Sequence, residues 1–377
     1  MAFLQDRRQG KINLKNYQEM KKYNICGIQQ IGIGVKNVEE AWKWYIHQFG
    51  MDCRIFEDEA EAKLMLPYTG GEPRRRHAVL AVNLQSGGGF EIWQHKGREP
   101  LTIKEEIRLG DLGIIACKIK VKNINDAYLY FKDNGISIIN EPDSGPDGAK
   151  TFFVKDPYGN IFQMVAGDSW FLNEHRETGG TYGALIGVSD IDKSREVYSD
   201  ILGYDIVVYD KTGEFPDLAS LPGGNGRFRR VLLKRSEPVT GPFSKLFGNS
   251  IMELISSTGV PGKKIYDGRL WGDPGFIHLC FDIQGIDEIR DYCSEKGFPF
   301  TVDTKKSYKG NSFDMGEAAG HFAYIADPDG ALIEFVETQK VPILKKLGWY
   351  LDLRKRDPKK SLPNWILKTL RFSKVKL

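Results

Sequence analysis

The chain has 377 residues, of which 41% are hydrophobic and 12% aromatic, an ordinary globular composition long enough for two domains or one large one. Five cysteines without C-x-x-C spacing exclude an evident disulfide framework and favour a reducing compartment. Neither an apolar run of about 18 residues nor an apolar segment near the N-terminus is present, so we expect a cytoplasmic protein without a transmembrane helix or signal peptide. The net charge of +3 is uneven, because residues 341–377 hold 11 Lys/Arg and 2 Asp/Glu, which leaves the body mildly acidic.

The first predicted elements are a strand, a helix and three more strands. Residues 1–24 are polar and charged, and we expect a short helix or a loose arm. A strand pattern spans 28–35, and Asn37 then caps a helix whose apolar residues share one face and which Gly50 ends. Three strand-like runs complete this unit, at residues 53–56, 77–84 and 90–94.

The same βαβββ order is predicted three more times along the chain. The turn that begins at Asp156 (Asp-Pro-Tyr-Gly) and the turn that begins at Asp327 (Asp-Pro-Asp-Gly) are 171 residues apart, and each leads into a closing strand. Such internal repetition indicates four copies of one module. Their first strands are predicted to begin near residues 28, 114, 182 and 276.

Four βαβββ modules, a His or Gln in a first strand and Asp-Pro-x-Gly before a closing strand resemble the vicinal oxygen chelate (VOC) superfamily. That group includes glyoxalase I, methylmalonyl-CoA epimerase, extradiol dioxygenases and bleomycin-resistance proteins. The resemblance covers about residues 25–338 and implies an α+β fold in which two modules form a half-open barrel around a divalent metal. We therefore expect an N-terminal arm, two glyoxalase-like barrels and a basic helical tail, at residues 1–24, 25–168 (modules 1 and 2), 179–338 (modules 3 and 4) and 339–377.

The resemblance also implies where metal ligands belong, in the first and last strand of each module. The first-strand position lies five residues before the valine or isoleucine that ends the strand. By this register the first-strand positions are Gln30, Ala116, Gly183 and His278. The last-strand positions are Glu91, Gln163, Glu253 and Glu334.

Within the expected C-terminal barrel, Glu253, His278 and Glu334 form the predicted metal site. Three N/O ligands leave coordination positions open for water or substrate, as metal catalysis requires. Carboxylate and imidazole ligands suit one divalent ion of Zn, Ni, Co, Mn or Fe without selecting among them. The alternative is that the two glutamates pair with Arg229 or Arg230 and that the histidine is a hydrogen-bonded core residue.

The expected N-terminal barrel has fewer ligands. Gln30 is of a type tolerated at this position in some glyoxalases, but Glu91 is its one charged partner and Ala116 binds nothing. We therefore predict a structural or degenerate barrel in this half.

For catalysis we expect a carboxylate that moves a proton, either Glu253 or Glu334. His321 is a candidate general acid or base at the cavity mouth, with an ordinary loop histidine as the alternative. The resemblance implies a glyoxalase-related lyase, isomerase or epimerase acting on a small oxygen-rich molecule. The alternatives are a non-catalytic binding protein of the bleomycin-resistance type, with an aromatic cavity, and an extradiol-type dioxygenase, which the single histidine in register disfavours.

The tail contains two short basic amphipathic segments with Trp349 and Trp365. Such segments indicate either contact with an anionic membrane surface or acidic partner, or packing of their apolar faces against the body or a barrel edge. We favour packing, because helices of globular proteins are usually amphipathic for that reason. The sequence resembles no nucleic-acid-binding module and does not indicate an oligomeric state.

Overall fold

The structure is a computed structural model that describes residues 23–103, 105–259, 262–309, 313–314, 319–344 and 349–376. The predicted N-terminal arm thus lies outside the described residues up to residue 22. Within the described ranges, no helix has the length and apolar character needed to cross a membrane.

The predicted repetition is confirmed, since four modules of mixed helix and strand follow one another. Module 1 consists of β1 (Asn24–Gly34), α1 (Val38–Phe49), β2 (Cys53–Glu61), a 3-10 turn (Leu66–Tyr68), β3 (Arg75–Val82) and β4 (Gly89–Lys96). Module 2 consists of β5 (Gly113–Val121), α2 (Ile124–Asp133), β6 (Ser137–Ile138), β7 (Asp143–Ser144), β8 (Lys150–Lys155) and β9 (Ile161–Ala166).

The second half of the chain repeats this order and ends in the tail. Module 3 consists of β10 (Thr178–Gly187), α3 (Ile191–Arg195) with a π-helical continuation (Glu196–Ile201), β11 (Ile206–Gly213), a 3-10 turn (Pro216–Leu218), β12 (Phe228–Lys234), α4 (Ser244–Phe247) and β13 (Ile251–Ser257). Module 4 consists of β14 (Gly275–Gln284), α5 (Ile286–Glu295), β15 (Val302–Asp303), α6 (Thr304–Ser307), β16 (Phe313–Asp314), β17 (Ala319–Ala326) and β18 (Leu332–Leu344). The tail holds β19 (Trp349–Asp352), a 3-10 turn (Leu353–Lys355), α7 (Asn364–Lys368) and a second 3-10 turn (Thr369–Ser373).

Local sequence signals explain the helix boundaries. The side-chain oxygen of Asn37 accepts hydrogen bonds from the backbone N–H groups of Glu39 and Glu40, and Gly50, with φ of 63°, ends α1 in the left-handed region. The cap satisfies two donors that a helix start leaves free, and glycine adopts this φ without steric cost. The apolar face of α1 is then fixed against the sheets.

The strands form two curved sheets, each a half-open barrel. Sheet A has the strand order β15-β17-β18-β14-β1-β4-β3-β2, with β16 beside β17 and β19 beside β18. Sheet B has the order β11-β12-β13-β10-β5-β9-β8-β6, with β7 beside β8. The α+β fold with four modules in two half-open barrels is therefore as expected.

The expected pairing of modules is wrong, however. Sheet A joins modules 1 and 4 through antiparallel strands β1 and β14, and sheet B joins modules 2 and 3 through antiparallel strands β5 and β10. All four first strands are almost entirely buried on both faces. Because these four first strands carry the same kind of apolar pattern, the pattern does not specify which of them pair with each other.

Modules 1 and 2, and likewise modules 3 and 4, instead contact each other through their helices. On α1, Tyr45 Oη donates to Asp156 Oδ2 of the next module's Asp-Pro turn at 2.7 Å. In the same way Tyr198 Oη donates to Asp327 Oδ2 at 2.9 Å. One continuous apolar core surrounds these contacts and includes residues of both sheets. Modules 1 and 2, and likewise modules 3 and 4, thus pack across the core, whereas the sheets join module 1 with module 4 and module 2 with module 3.

The tail packs against the body and covers part of sheet A, as favoured from the sequence. Leu353, Leu362 and Leu367 are buried together in a small cluster against Phe171 and Phe243. At the edge of the sheet, Lys374 forms a β-bridge with the first residue of β2, and the backbone N–H of Val375 donates to Asp52 O at 2.9 Å. This arrangement protects an edge strand that would otherwise expose unpaired backbone groups.

Candidate metal centre

Four polar side chains converge on the concave face of sheet A, one from each of its four central strands. Glu91 Oε2 and Glu334 Oε2 lie 3.3 Å and 3.1 Å from His278 Nε2. Gln30 Nε2 donates to Glu91 Oε2 at 3.2 Å and to Glu334 Oε2 at 3.3 Å. One ligand atom each of Glu91, His278 and Glu334 lies within 4.8 Å of the others. We call these four residues the Gln-Glu-His-Glu cluster.

Strand register produces this convergence. Gly32 of β1 faces His278 of the antiparallel β14 on one side and Glu91 of the parallel β4 on the other. Two residues earlier, Gln30 faces the position in β14 that pairs with Glu334. Side chains two residues apart share a face of a strand, so all four project into the same half-barrel.

Gly32 is needed for this arrangement, because the imidazole of His278 lies directly over it. A Cβ added at Gly32 would be only 2.5 Å from His278 Cε1. Glycine removes the one side chain that would occupy the space of the ring.

The cluster is buried, and its two carboxylates favour a positive charge between them. The side chain of His278 is fully buried, and those of Glu91 and Glu334 are 11% and 9% exposed. Burial alone would lower the pKa of His278, but the two neighbouring carboxylates outweigh burial and raise the pKa to about 9. Without another cation, the imidazole must therefore carry the positive charge that the two glutamates require.

The polar atoms of the cluster are better placed to bind a divalent ion than to form hydrogen bonds with one another. Both ring nitrogens of His278 and the side-chain Oε1 of Gln30 are buried without a hydrogen-bond partner. The short approaches to His278 Nε2 therefore lack hydrogen-bond geometry, and the amide oxygen has no donor. Two carboxylates, an imidazole and an amide oxygen suit a divalent ion that accepts mixed N/O ligands.

A cavity of about 470 Å³ opens above the carboxylates. Its floor includes Gln30, Glu91 and Glu334, and its walls are largely apolar: Phe56, Leu64, Met65, Leu80, Trp271, Phe322, Tyr324 and Val336. The indole of Trp271 lies nearly parallel to the His278 ring at 6.1 Å, and Tyr324 approaches the ring edge-on at 5.6 Å. The site is thus concave, mostly apolar and furnished with a few convergent polar groups, as ligand pockets commonly are.

The placement of Glu253 in the metal site is wrong. Glu253 belongs to β13 of sheet B, where Lys118 Nζ donates to its Oε2 at 2.6 Å and Tyr209 Oη donates to its Oε1 at 2.6 Å. Arg230 Nε adds a further bond to Oε1 at 2.7 Å. Burial opposes its ionisation, but Arg230 and Lys118 lower the pKa of Glu253 to about 2. The pairing with Arg230 considered as the alternative from the sequence is the one found, because module 3 does not share a sheet with module 4.

The catalytic role predicted for His321 is also wrong. Phe322 and Tyr324 line the cavity, so His321, one residue away in β17, points to the opposite face of the strand. It is buried rather than at a cavity mouth, and burial lowers its pKa. This histidine belongs to the packing between β17 and the helical side of the module.

The sequence identified Gln30 and Glu91 as ligand positions but assigned them to a degenerate half. They complete the cluster because module 1 pairs with module 4. The signal was present in the sequence, since modules 1 and 4 alone carry a potential ligand at both of their positions. Among the aromatic residues, Trp271 lines the cavity and Trp93 contacts Trp271 at 4.6 Å, whereas Tyr182 and Phe228 belong to sheet B.

Comparison with known families agrees with this fold. The family model described as Glyoxalase/Bleomycin resistance protein/Dioxygenase superfamily matches residues 27–164 and 183–335. These two matches cover well over half of the chain, and the chain belongs to that superfamily. Comparison of the sequence with curated proteins found no match.

Solved structures with the same fold include two of different functional description. Glyoxalase I from Zea mays is 14% identical, with a TM-score of 0.52, and the alignment covers 85% of this chain and 95% of that one. A putative dioxygenase from Bacillus subtilis is 13% identical, with a TM-score of 0.51, and the alignment covers 83% of this chain and 86% of that one. At these identities the likeness establishes the fold alone.

Proposed function

We propose that this protein is a divalent-metal-dependent enzyme that acts on a small molecule with neighbouring oxygen atoms, as a glyoxalase-related lyase, isomerase or epimerase. The observation that carries the proposal is the Gln-Glu-His-Glu cluster at the floor of an apolar cavity. Two buried carboxylates share a single imidazole, so one negative charge stays uncompensated, which is costly and supports a bound cation and a ligand at this cavity.

Each residue of the cluster has a distinct task in this proposal. Gln30, Glu91, His278 and Glu334 hold the ion, with Gln30 presenting its amide oxygen after a half-turn of the side-chain amide. A bound divalent ion supplies Lewis-acid stabilisation of the negative charge that develops on a substrate oxygen. The rest of the chemistry falls to the side chains around the cavity.

Proton transfer is assigned to a carboxylate. Glu334 faces the cavity, and in the proposal its Oε2 takes a proton from the carbon next to the substrate carbonyl. The same carboxylic acid then returns the proton to the neighbouring carbon, the former carbonyl carbon, so the isomerisation conserves all atoms. Trp271, Phe322 and Tyr324 exclude water from this transfer, which lengthens the life of the charged state.

Metal binding is the experiment that tests the proposal. Metal-stripped full-length protein is titrated calorimetrically with Zn, Ni, Co, Mn and Fe(II) in turn. We expect one ion per chain, and a loss of affinity of at least about 10-fold in Glu91→Gln, because even residues that only support a ligand are worth about 10- to 100-fold. Glu57→Gln is the matched control, since Glu57 is also on sheet A but belongs to surface pairs with Arg54 and His77.

Two outcomes would contradict the proposal. One is the absence of stoichiometric binding for all five ions. The other is equal metal affinity in wild type, Glu91→Gln and Glu57→Gln, which would mean that the ion binds elsewhere.

A non-catalytic binding protein is the second candidate, favoured by the apolar walls of the cavity. It predicts tight binding of an apolar ligand that Glu334→Gln leaves unchanged and that is recovered unaltered. An extradiol-type dioxygenase is less well supported, because the cluster contains one histidine where the usual oxygenase set has two histidines and one carboxylate.

A further inference from the structure

The tail presents two large aromatic side chains to solvent. Trp365 on α7 is 59% exposed, and Phe372 in the following 3-10 turn is 86% exposed. Large exposed apolar groups are informative when they lie close together, because soluble surfaces rarely retain them without a partner.

Packing of the tail does not account for these two rings. The side of α7 that faces the body is occupied by Leu367, which is buried with Leu353 and Leu362. The segment 364–373 is therefore apolar on two sides, and only one side contacts the protein.

Basic side chains surround the exposed rings. Lys368, the last residue of α7, lies three residues after Trp365 and therefore beside it on one face of the helix, and the 3-10 turn that carries Phe372 begins at the next residue. Arg371 is exposed beside Phe372 and pairs with Glu174 at 3.4 Å. We call Trp365, Lys368, Arg371 and Phe372 the tail face.

The surroundings of the tail face are also positive. Lys245 Nζ donates to Asn364 Oδ1 at 3.0 Å, so this lysine borders the start of α7. Residues 349–376 contain nine Lys/Arg and two Asp/Glu. Lys374 is partly neutralised by Glu174 at 2.5 Å, but the balance of the segment remains strongly positive.

We propose that the tail face binds the surface of a bilayer that contains anionic lipids. Tryptophan and phenylalanine insert at the level of the headgroups, while lysine and arginine pair with lipid phosphates and carboxylates. An exposed lysine beside Trp365 argues for lipid over protein, because lysine is depleted in protein–protein interfaces and would be desolvated there. With two rings and a few charges, the contact is reversible.

Sedimentation with vesicles tests this proposal with the full chain. Wild type is mixed with vesicles of phosphatidylcholine alone or of equimolar phosphatidylcholine and phosphatidylserine. We expect binding to the mixed vesicles only, weakened by salt, and a partition coefficient lowered at least about tenfold in Trp365→Ala/Phe372→Ala and in Lys368→Glu/Lys245→Glu.

The matched control is Leu129→Ala/Lys132→Glu on α2, which removes an exposed leucine and reverses a charge outside the tail. Quenching by brominated lipids locates the contact, since Trp365→Phe should keep binding but lose part of the quenching. All variants alter exposed side chains, so an unchanged melting temperature shows that folding is intact.

Equal binding to both kinds of vesicle, or wild-type binding by the two tail-face variants, would overturn the proposal. A doubled mass in solution that Trp365→Ala/Phe372→Ala abolishes would also overturn it, because the tail face would then join two copies of the chain.

Discussion

Sheets A and B share one architecture but have different interiors. In sheet A the strand position of Glu91 faces Gly32, and in sheet B the equivalent Glu253 faces Leu185. Where sheet A has His278, sheet B has Ala116, which lies against Leu185 in a packed apolar cluster. The concave face is thus open in one sheet and filled in the other.

The two sheets also differ in the cation that lies beside their buried carboxylates. In sheet B, Lys118 is buried and its Nζ donates to Gln163 Oε1 and to Glu253 Oε2, the two remaining ligand positions. Lys118 occupies the position that Cys280 has in sheet A. Sheet B therefore compensates its carboxylate with a lysine of the chain, whereas sheet A has Cys280 at that position and leaves Glu91 and Glu334 beside His278. The comparison shows that equivalent strand positions in the two sheets can compensate a buried carboxylate in different ways.

Removal of Glu253 should give the largest effect on stability. Glu253→Ala leaves Lys118 and Arg230 as buried charges that lack their main partner, and we expect a loss of about 3–5 kcal/mol in the free energy of unfolding. The equivalent Glu91→Ala in metal-free protein should cost about 1 kcal/mol, because Glu334 still balances His278. Urea unfolding of both variants measures the difference, and equal costs would break the contrast between the sheets.

The built-in cation also predicts a pH dependence. The pKa of Glu253 is lowered from 4.5 to about 2 by Arg230 and Lys118, so the stabilisation it provides is complete above pH 4.5 and is lost as the pH falls from 4.5 towards 2. The shift corresponds to roughly 3 kcal/mol. The stability difference between wild type and Glu253→Gln should therefore shrink across this pH range. A difference that stays constant would show that Glu253 is not held as a carboxylate.

The sequence predicted the ligand positions better than their grouping. Asn37, Gly50 and the two Asp-Pro turns define module boundaries locally, and the strand register placed Gln30 and Glu334 in the strands where the structure has them, facing the cavity. Which modules share a sheet depends on contacts between residues far apart in the chain, such as Asn24 with Gln284 and Gln30 with Cys280. Local periodicity carries no information on such pairs, so the four ligands were divided between two predicted barrels.

Lys118 was missed for a related reason. A lysine that alternates with Cys117 and Ile119 is typical of a strand with one solvated face. Here both faces are buried, and the charge is compensated by Glu253 and Gln163 from two other strands. The available signal was Glu253. A buried carboxylate needs a cation, and the missing ligands at the neighbouring positions left a side chain of the protein as the candidate.

A smaller effect is expected at Gly32, where sheet A makes room for the imidazole. In Gly32→Ala the new Cβ would lie 2.5–2.9 Å from three atoms of the His278 ring, so the ring must shift against Trp271. We expect a loss of about 1–3 kcal/mol in stability and weaker metal binding, since overpacking displaces a ligand. Gly213→Ala is the control, because a Cβ there meets nothing within 4 Å and should change stability by less than about 0.5 kcal/mol.

The cause can be assigned with a double-mutant cycle. If the imidazole is what the added methyl group meets, Gly32→Ala should cost less in a His278→Ala background than in wild type, with a coupling of at least about 0.5 kcal/mol. Equal costs in both backgrounds would mean that Gly32 serves the backbone of β1 instead. In sheet B the equivalent pair is Leu185 and Ala116. There the large side chain is on β10 and the small one on β5, whereas in sheet A the small residue is Gly32 on β1 and the large one is His278 on β14. The sizes of the two residues paired at this position of the central strands therefore decide which half-barrel has space for a histidine on its concave face.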